Sequence, residues 1–142
     1  TSAFGVYVHF PYCRKRCPYC DFAVAARKTI PHQRYQRQVL AELGDRAALF
    51  PGRRAVSVYF GGGTPSLWEP ACVAAVTAAV LAAFPPKALT PEVTPEVTLE
   101  ADPTDLDAPR LAAFRAAGVN RLSLGVQSAK LFVVPNSETG HP

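Results

Sequence analysis

The sequence predicts an α/β fold built on a parallel sheet or barrel. Short runs of β-branched and aromatic residues alternate with longer segments of helical periodicity, and this strand-then-helix order recurs along the chain. The 142 residues are 49% hydrophobic, which is enough for one globular core. No domain boundary is visible between the successive strand–helix units.

The first unit combines a strand with a long helix. Val6–Phe10 is an apolar run that predicts a buried strand. After a loop that contains three cysteines, Pro31–Leu49 is predicted as a helix, with Pro31 suited to its first turn. The apolar positions of this helix recur every four residues: Tyr35, Val39, Leu43 and Ala47.

The second unit contains a glycine-rich connection. Ala55–Phe60 is a β-branched and aromatic run that predicts a strand, and Gly61–Pro65 follows it directly. A helix is then predicted from Glu69-Pro70 to Phe84. Cys72 lies at helical spacing from apolar residues of this helix, where a free cysteine behaves as a small hydrophobe. We therefore assign Cys72 to the core.

The third and fourth units follow without a long linker. Val97–Glu100 predicts a strand, and a turn at Asp102-Pro103 separates it from a helix over about Ala108–Ala117. Gly118 ends that helix at the position where left-handed backbone geometry favours glycine. Arg121–Val126 predicts a fourth strand.

Three cysteines in the first loop are the clearest chemical feature of the chain. Cys13, Cys17 and Cys20 are spaced C-x3-C-x2-C. Iron–sulfur clusters are usually held by four thiolates, so three thiols can ligate three irons of a cubane cluster and leave the fourth iron open. A metal site that keeps one position free of protein ligands is typical of chemistry rather than of a structural role.

Two other uses of these cysteines remain open at this point. Cys17-Pro18-Tyr19-Cys20 is also the active-site tetrapeptide of glutaredoxins, which predicts a thiol–disulfide oxidoreductase as a distant alternative. Such a redox pair does not need a third thiol upstream. A structural zinc site would need a fourth ligand at short spacing, and the nearest candidates are His9 and His32.

The chemically distinctive residues follow the predicted strands. The four strands end, in order, at the cysteine loop, at Gly61–Thr64, at Glu100 and at Gln127. Parallel α/β folds bind ligands at the carboxyl ends of their strands. Glycines after a strand allow the backbone to approach a ligand and offer N–H groups to it. The sequence therefore predicts one ligand site at this edge of the sheet.

Composition narrows the function classes. The net charge of +4 is spread over the chain without a long basic tract, so nucleic-acid binding is not expected. The chain has no secretory signal and no apolar run of about 18 residues or more.

Clustered thiols of this kind are typical of the reducing cytosol, and we predict a cytoplasmic location. The absence of methionine predicts a fragment of a longer protein.

Two segments resemble a known family. Tyr7-Val8-His9-Phe10-Pro11-Tyr12-Cys13 and Phe114–Ser128 are similar to motifs of the radical S-adenosylmethionine (SAM) superfamily. The first resembles the branch that holds oxygen-independent coproporphyrinogen III oxidases and HemW-type haem chaperones. The resemblance covers about residues 5 to 128. It implies a partial (β/α) radical SAM barrel, of which about four βα units are present, truncated relative to the family core.

The resemblance also implies cofactors and site residues. Cys13, Cys17 and Cys20 match the ligands of a [4Fe-4S] cluster, whose open iron would chelate the methionine end of SAM. It implies haem or a porphyrinogen as a further ligand, and an electron donor and haem-accepting proteins as partners. It assigns no catalytic residue. The positions that match SAM contacts are Tyr7, Tyr19, Gly62, Gly63, Thr64, Glu100 and Gln127.

The chain departs from the family in two places. Oxygen-independent coproporphyrinogen oxidases carry a further cysteine two residues after the third ligand, where this chain has Phe22. This favours the HemW-like branch, a haem chaperone, over the oxidase. After residue 128 we find no family counterpart, so we divide the chain into the N-terminal part of a radical SAM core (1–128) and a divergent tail (129–142). We expect such a truncated chain to lack turnover.

Overall fold

A parallel four-stranded sheet forms the centre of the molecule in the computed structural model, which describes residues 3–13, 25–26, 29–86 and 94–125. The strand order is β1-β4-β5-β6, so the strands of the sheet are neighbours in the order in which the chain makes them. β2 and β3 form a separate two-residue parallel pair. The strands are β1 (Ala3–Phe10), β2 (Tyr12–Cys13), β3 (Ala25–Ala26), β4 (Arg54–Gly62), β5 (Glu96–Ala101) and β6 (Arg121–Leu124).

Three α-helices connect the strands of the sheet in the part of the chain that the structure describes. They are α1 (His32–Ala47), α2 (Pro70–Ala83) and α3 (Ala108–Ala116). α2 contacts both α1 and α3. Because α2 is apolar almost all round, it buries more than one face, and its buried side chains are Cys72, Val73, Val76, Thr77 and Val80.

The two faces of the sheet differ in chemistry. Successive side chains of a strand point to opposite faces, and Val8 and Phe10 of β1 are buried in the core while Tyr7 is 57% exposed. Tyr7 is in register with Tyr59 of β4. We call the surface formed by Tyr7, His9, Tyr59 and Glu100 the polar face.

Trp68 anchors the segment after β4 to the core. Its side chain has no exposed surface and stacks on Phe10, with 5.1 Å between the ring centroids. Its indole N–H donates a hydrogen bond to the backbone carbonyl of His32, at the start of α1, over 3.1 Å. A buried indole N–H needs such a partner, so this contact fixes the strand-end segment against α1.

The predicted α/β architecture is confirmed, with small differences at element boundaries. β4 continues to Gly62, two residues beyond the predicted end, because its last residues still pair with β1 at Phe10. α1 ends at Ala47 rather than Leu49. Gly118 follows α3 with φ +108°, as predicted for a helix end. The predicted fourth strand is present to Leu124, and the tail assigned to 129–142 lies outside the described residues.

Candidate cofactor site

The first predicted ligand, Cys13, is joined to the glycine-rich connection by backbone hydrogen bonds. The N–H of Gly63 donates to the carbonyl of Phe10 over 2.7 Å, and the N–H of Thr64 donates to the carbonyl of Tyr12 over 2.8 Å. Cys13 directly follows Tyr12 and is 8% exposed. The structure therefore places the first cysteine of the motif beside the glycine-rich connection.

The β2–β3 pair joins the two ends of the cysteine loop. Cys13 is in parallel register with Ala26, so the chain enters and leaves the loop at adjacent points. The other loop residues singled out above lie outside the described residues: Cys17, Tyr19, Cys20 and Phe22. Gln127 at the end of the fourth strand also lies outside them.

Two glycines are required by close backbone approach. Gly62 has φ +117°, and a Cβ atom there would lie 2.7 Å from the His9 ring and from the carbonyl oxygen of Phe10. A Cβ atom at Gly63 would collide with the carbonyl oxygen of Tyr12. Only glycine adopts the backbone conformation of Gly62 at low cost, and only glycine fits at the position of Gly63.

Glu100 lies beside this glycine segment. Its Oε1 accepts a hydrogen bond from the N–H of Gly62 over 3.0 Å, and its Oε2 accepts one from the hydroxyl of Tyr59 over 2.8 Å. A Cβ atom at Gly61 would lie 2.9 Å from Oε1, so the absence of a side chain there leaves room for the carboxylate. β5 thus presents its carboxylate next to the end of β4.

Aromatic and imidazole groups continue the polar face across β1. The Tyr7 hydroxyl and Nδ1 of His9 lie 3.0 Å apart, and the Tyr7 ring stacks on Tyr59 with 6.0 Å between centroids. Burial raises the pKa of Tyr7, and the nearby charges of Glu100 and Tyr59 raise it further. Tyr7 therefore stays a neutral donor and acceptor near neutral pH.

A second network supports the strand-end loops and was not found from the sequence. The Arg110 guanidinium donates to the carbonyl of Ser66 from Nε and Nη2, over 3.1 and 2.8 Å, and from Nη2 to the carbonyl of Trp68 over 3.0 Å. The Ser66 hydroxyl donates to Asp105 over 3.3 Å and accepts from the N–H of Asp102 over 3.1 Å. These contacts tie the loop after β4 to the loop after β5.

The described part of the site brings together residues that are far apart in the chain. Of the residues predicted from the sequence, Tyr7, Cys13, Gly62, Gly63, Thr64 and Glu100 lie at the same edge of the sheet. Ser66 follows β4 and Arg110 lies in α3, and no sequence pattern pairs these two residues.

The histidines considered as zinc ligands have other contacts. Nδ1 of His32 accepts a hydrogen bond from the backbone N–H of Glu69 over 3.1 Å, which joins the start of α1 to the start of α2. His9 lies next to the Tyr7 hydroxyl. Within residues 3–13, 25–26, 29–86 and 94–125, no group of three or more His, Cys, Asp or Glu side chains could hold a metal. In the same residues, no helix is long and apolar enough to cross a membrane.

The chain is similar in sequence to a known superfamily and to several known proteins. The chain matches the Radical SAM superfamily over residues 7–136. It is 49% identical over 124 residues to the bovine (Bos taurus) protein named radical S-adenosyl methionine domain-containing protein 1, mitochondrial, covering 87% of this chain and 27% of the relative. It is 39% identical over 125 residues to heme chaperone HemW of Escherichia coli, covering 87% of this chain and 32% of that relative.

A solved structure shares the fold. The coproporphyrinogen III oxidase HemN from Escherichia coli, described as a radical SAM enzyme, superposes with a TM-score of 0.76 at 30% sequence identity. The superposition covers 91% of this chain and 29% of HemN. The chain spans less than a third of the length of these relatives. Because the superfamily match extends over most of the sequence and the fold agrees, the chain belongs to the radical SAM superfamily.

Proposed function

We propose that this chain is the cofactor-binding part of a HemW-like radical SAM protein of haem or porphyrin metabolism. Cys13, Cys17 and Cys20 hold a [4Fe-4S] cluster, and SAM binds along the strand ends beside it. One observation carries the proposal: the backbone hydrogen bonds from Gly63 and Thr64 hold the Cys13 segment against the glycine-rich connection. The first thiol and the SAM-binding segment are thereby held together.

The residues present fit a three-thiolate cluster. Cys13 is nearly buried at the end of β2, and the β2–β3 pair keeps both ends of the loop that carries Cys17 and Cys20 together. A short loop closed in this way can bring three thiolates to one cluster and leave one iron for SAM. A reduced cluster held by Cys13, Cys17 and Cys20 would supply one electron for reductive cleavage of the sulfonium of SAM to methionine and a 5′-deoxyadenosyl radical.

The polar face fits SAM by its donors and acceptors. SAM carries an ammonium group, ribose hydroxyls and an adenine amine as donors, and a carboxylate Glu100 can accept hydrogen bonds from such groups. Gly62, Gly63 and Thr64 are proposed as SAM contacts on the family resemblance. Tyr7 offers an exposed aromatic ring on the polar face. Tyr19 and Gln127 complete the proposed contacts.

Two activities remain for the whole protein, and the haem chaperone is favoured. Phe22 stands where the oxidases have a further cysteine, and one relative is named heme chaperone HemW. The alternative is an oxygen-independent coproporphyrinogen III oxidase, which the likeness to HemN supports. A glutaredoxin-like oxidoreductase is disfavoured, because the chain belongs to the radical SAM superfamily. The clustered thiols favour the cytoplasm, although the bovine relative is named as mitochondrial.

The cluster is tested by anaerobic reconstitution of the chain with iron and sulfide. EPR spectra are recorded after dithionite reduction, with and without SAM. We expect a cubane signal that shifts on addition of SAM, and we expect Cys13→Ala to abolish it. Cys72→Ala is the matched control, because Cys72 is 1% exposed in the core of α2 and should not affect the signal. Stoichiometric zinc, or a cluster that survives Cys13→Ala, would contradict the proposal.

Haem titration separates the two activities. A chaperone should bind haem at a defined stoichiometry, seen as a saturating Soret absorbance, and should leave coproporphyrinogen III unchanged. An oxidase should consume coproporphyrinogen III in the presence of SAM and a reductant. Since the chain spans less than a third of its relatives, the same titration on a full-length relative provides the reference.

A further inference from the structure

Tyr59 holds one oxygen of the Glu100 carboxylate. Its hydroxyl donates to Oε2 over 2.8 Å, while the N–H of Gly62 donates to Oε1 over 3.0 Å. Both donors belong to β4, and the carboxylate belongs to the neighbouring strand β5. The carboxylate is therefore held at both oxygens by a single strand.

The two hydrogen bonds from β4 leave Glu100 able to bind a ligand. An ionised carboxylate has about four lone-pair positions, and the two contacts from β4 use about half of them. A glutamate side chain that is already fixed does not lose further rotamer freedom when a ligand binds, and this preorganisation strengthens binding. Without Tyr59, Gly62 would be the remaining hydrogen-bond donor to the carboxylate among the residues that the structure describes.

Tyr59 is itself held in place. Its ring stacks against Tyr7 of β1, with 6.0 Å between the ring centroids. Tyr59 thus contacts β1 through its ring and β5 through its hydroxyl. A phenylalanine at this position would keep the ring stacking but would lose the bond to Glu100.

We propose that Tyr59 is a positioning residue that orients the Glu100 carboxylate for SAM. This inference rests on the proposed function, in which Glu100 contacts SAM. Tyr59 acts through Glu100 and is assigned no contact with SAM. Loss of its hydroxyl should weaken SAM binding by about 3- to 10-fold, less than the loss of a direct hydrogen bond to a charged group, because Tyr59 acts through Glu100 and Gly62 still donates to the carboxylate.

A double-mutant cycle on the 142-residue chain tests the inference. SAM affinity is measured by equilibrium dialysis, on reconstituted and on metal-free protein, for wild type, Tyr59→Phe, Glu100→Ala and the double variant. We expect Tyr59→Phe to weaken binding only when Glu100 is present. Tyr35→Phe is the matched control, because the Tyr35 hydroxyl donates to the backbone carbonyl of His9 and not to Glu100.

A spectroscopic readout separates positioning from general loss of structure. In Tyr59→Phe, the SAM concentration that gives half of the EPR shift should rise by the same factor as the dissociation constant from dialysis. The spectrum at saturating SAM should be unchanged. If Tyr59→Phe weakened SAM binding by the same factor in the wild-type and Glu100→Ala backgrounds, the inference would be overturned and the proposed SAM site would stand. Unchanged SAM affinity in Glu100→Ala, or no SAM binding by wild type, would overturn the proposed SAM site and the inference with it.

Discussion

The carboxylate of Glu100 on β5 accepts a hydrogen bond from the backbone N–H of Gly62 at the end of β4, over 3.0 Å. Gly62 makes this contact in a backbone conformation with φ +117°, in the left-handed region. The contact links two residues that are 38 positions apart in the sequence. The shape of the candidate site therefore depends on a conformation that glycine alone adopts easily.

Gly62→Ala should disrupt this arrangement. The added Cβ would lie 2.7 Å from the His9 ring and the Phe10 carbonyl, in a backbone conformation that alanine disfavours. We expect the free energy of unfolding to fall by about 1–3 kcal/mol and SAM binding to be lost. Urea denaturation followed by circular dichroism measures the first effect, and equilibrium dialysis measures the second.

Gly44→Ala is the matched control for this substitution. Gly44 lies in α1, and a Cβ atom there has nothing within 4 Å. Alanine should stabilise the helix by about 0.5–1 kcal/mol and leave SAM binding unchanged. If Gly62→Ala and Gly44→Ala had the same free energy of unfolding and the same SAM affinity, the role assigned to Gly62 would be contradicted.

Arg110→Met should loosen the loops at the strand ends. The substitution keeps an unbranched apolar side chain but removes the hydrogen bonds to the carbonyls of Ser66 and Trp68. We expect a loss of about 1–3 kcal/mol in the free energy of unfolding. The fluorescence of Trp68, the single tryptophan of the chain, should shift to longer wavelength as this buried ring gains contact with water.

Arg110→Lys is the conservative comparison. Lysine keeps the positive charge but cannot reach two carbonyls with a planar fork, so it should recover only part of the lost stability. Full recovery by lysine would mean that charge, rather than the geometry of the guanidinium, holds the loops.

Folding stability should decrease when the pH falls below about 6.5, because of His32. Burial lowers the pKa of His32, and nearby Arg110 lowers it further, while Glu69 opposes the shift. A folded-state pKa below the unfolded value of 6.5 means that the unfolded chain takes up the proton first. The stabilisation is therefore complete above pH 6.5 and is lost as the pH falls through the folded pKa.

The measurement is the free energy of unfolding at several pH values between about 5 and 8, for wild type and His32→Asn. Asparagine can still accept the hydrogen bond from the N–H of Glu69 but does not titrate. We expect a weaker pH dependence in the variant. The same slope in both proteins would assign the acid sensitivity to other groups.

Asn120→Ala should weaken the start of β5. The Asn120 side chain accepts from the N–H of Val97 over 2.8 Å and donates to the carbonyl of Pro95 over 2.9 Å. Leaving the partly buried N–H unpaired should cost about 1–3 kcal/mol. Amide hydrogen exchange at Val97 should become faster. Asn120→Asp keeps the acceptor and should protect that amide, whereas equal exchange in both variants would contradict this assignment.

The sequence predicted the fold class and most element boundaries well, because these depend on local patterns. Strands alternate with period two and helices with a period near 3.6, and both periods are visible in the residues themselves. The end of β4 was predicted too early, because glycines have no strand propensity and Gly62 pairs with Phe10 only through the register of the sheet.

Part of the candidate site was also accessible from the sequence. Cys13, Gly62, Gly63, Thr64 and Glu100 each follow or end a strand, and parallel strands place such positions at one edge. The proposed roles of Cys17, Cys20 and Gln127 remain predictions, since these residues lie outside the described part of the chain.

The sequence by itself determined the alternation of strands and helices, the cysteine spacing and the set of residues at the strand ends. Only the tertiary structure decided which of these residues touch: Tyr59 with Glu100, and Arg110 with Ser66. The physical reason is that secondary structure follows from neighbours within a few residues, whereas these partners are 41 and 44 positions apart. Their contacts arise from strand register and helix packing, which no local pattern specifies.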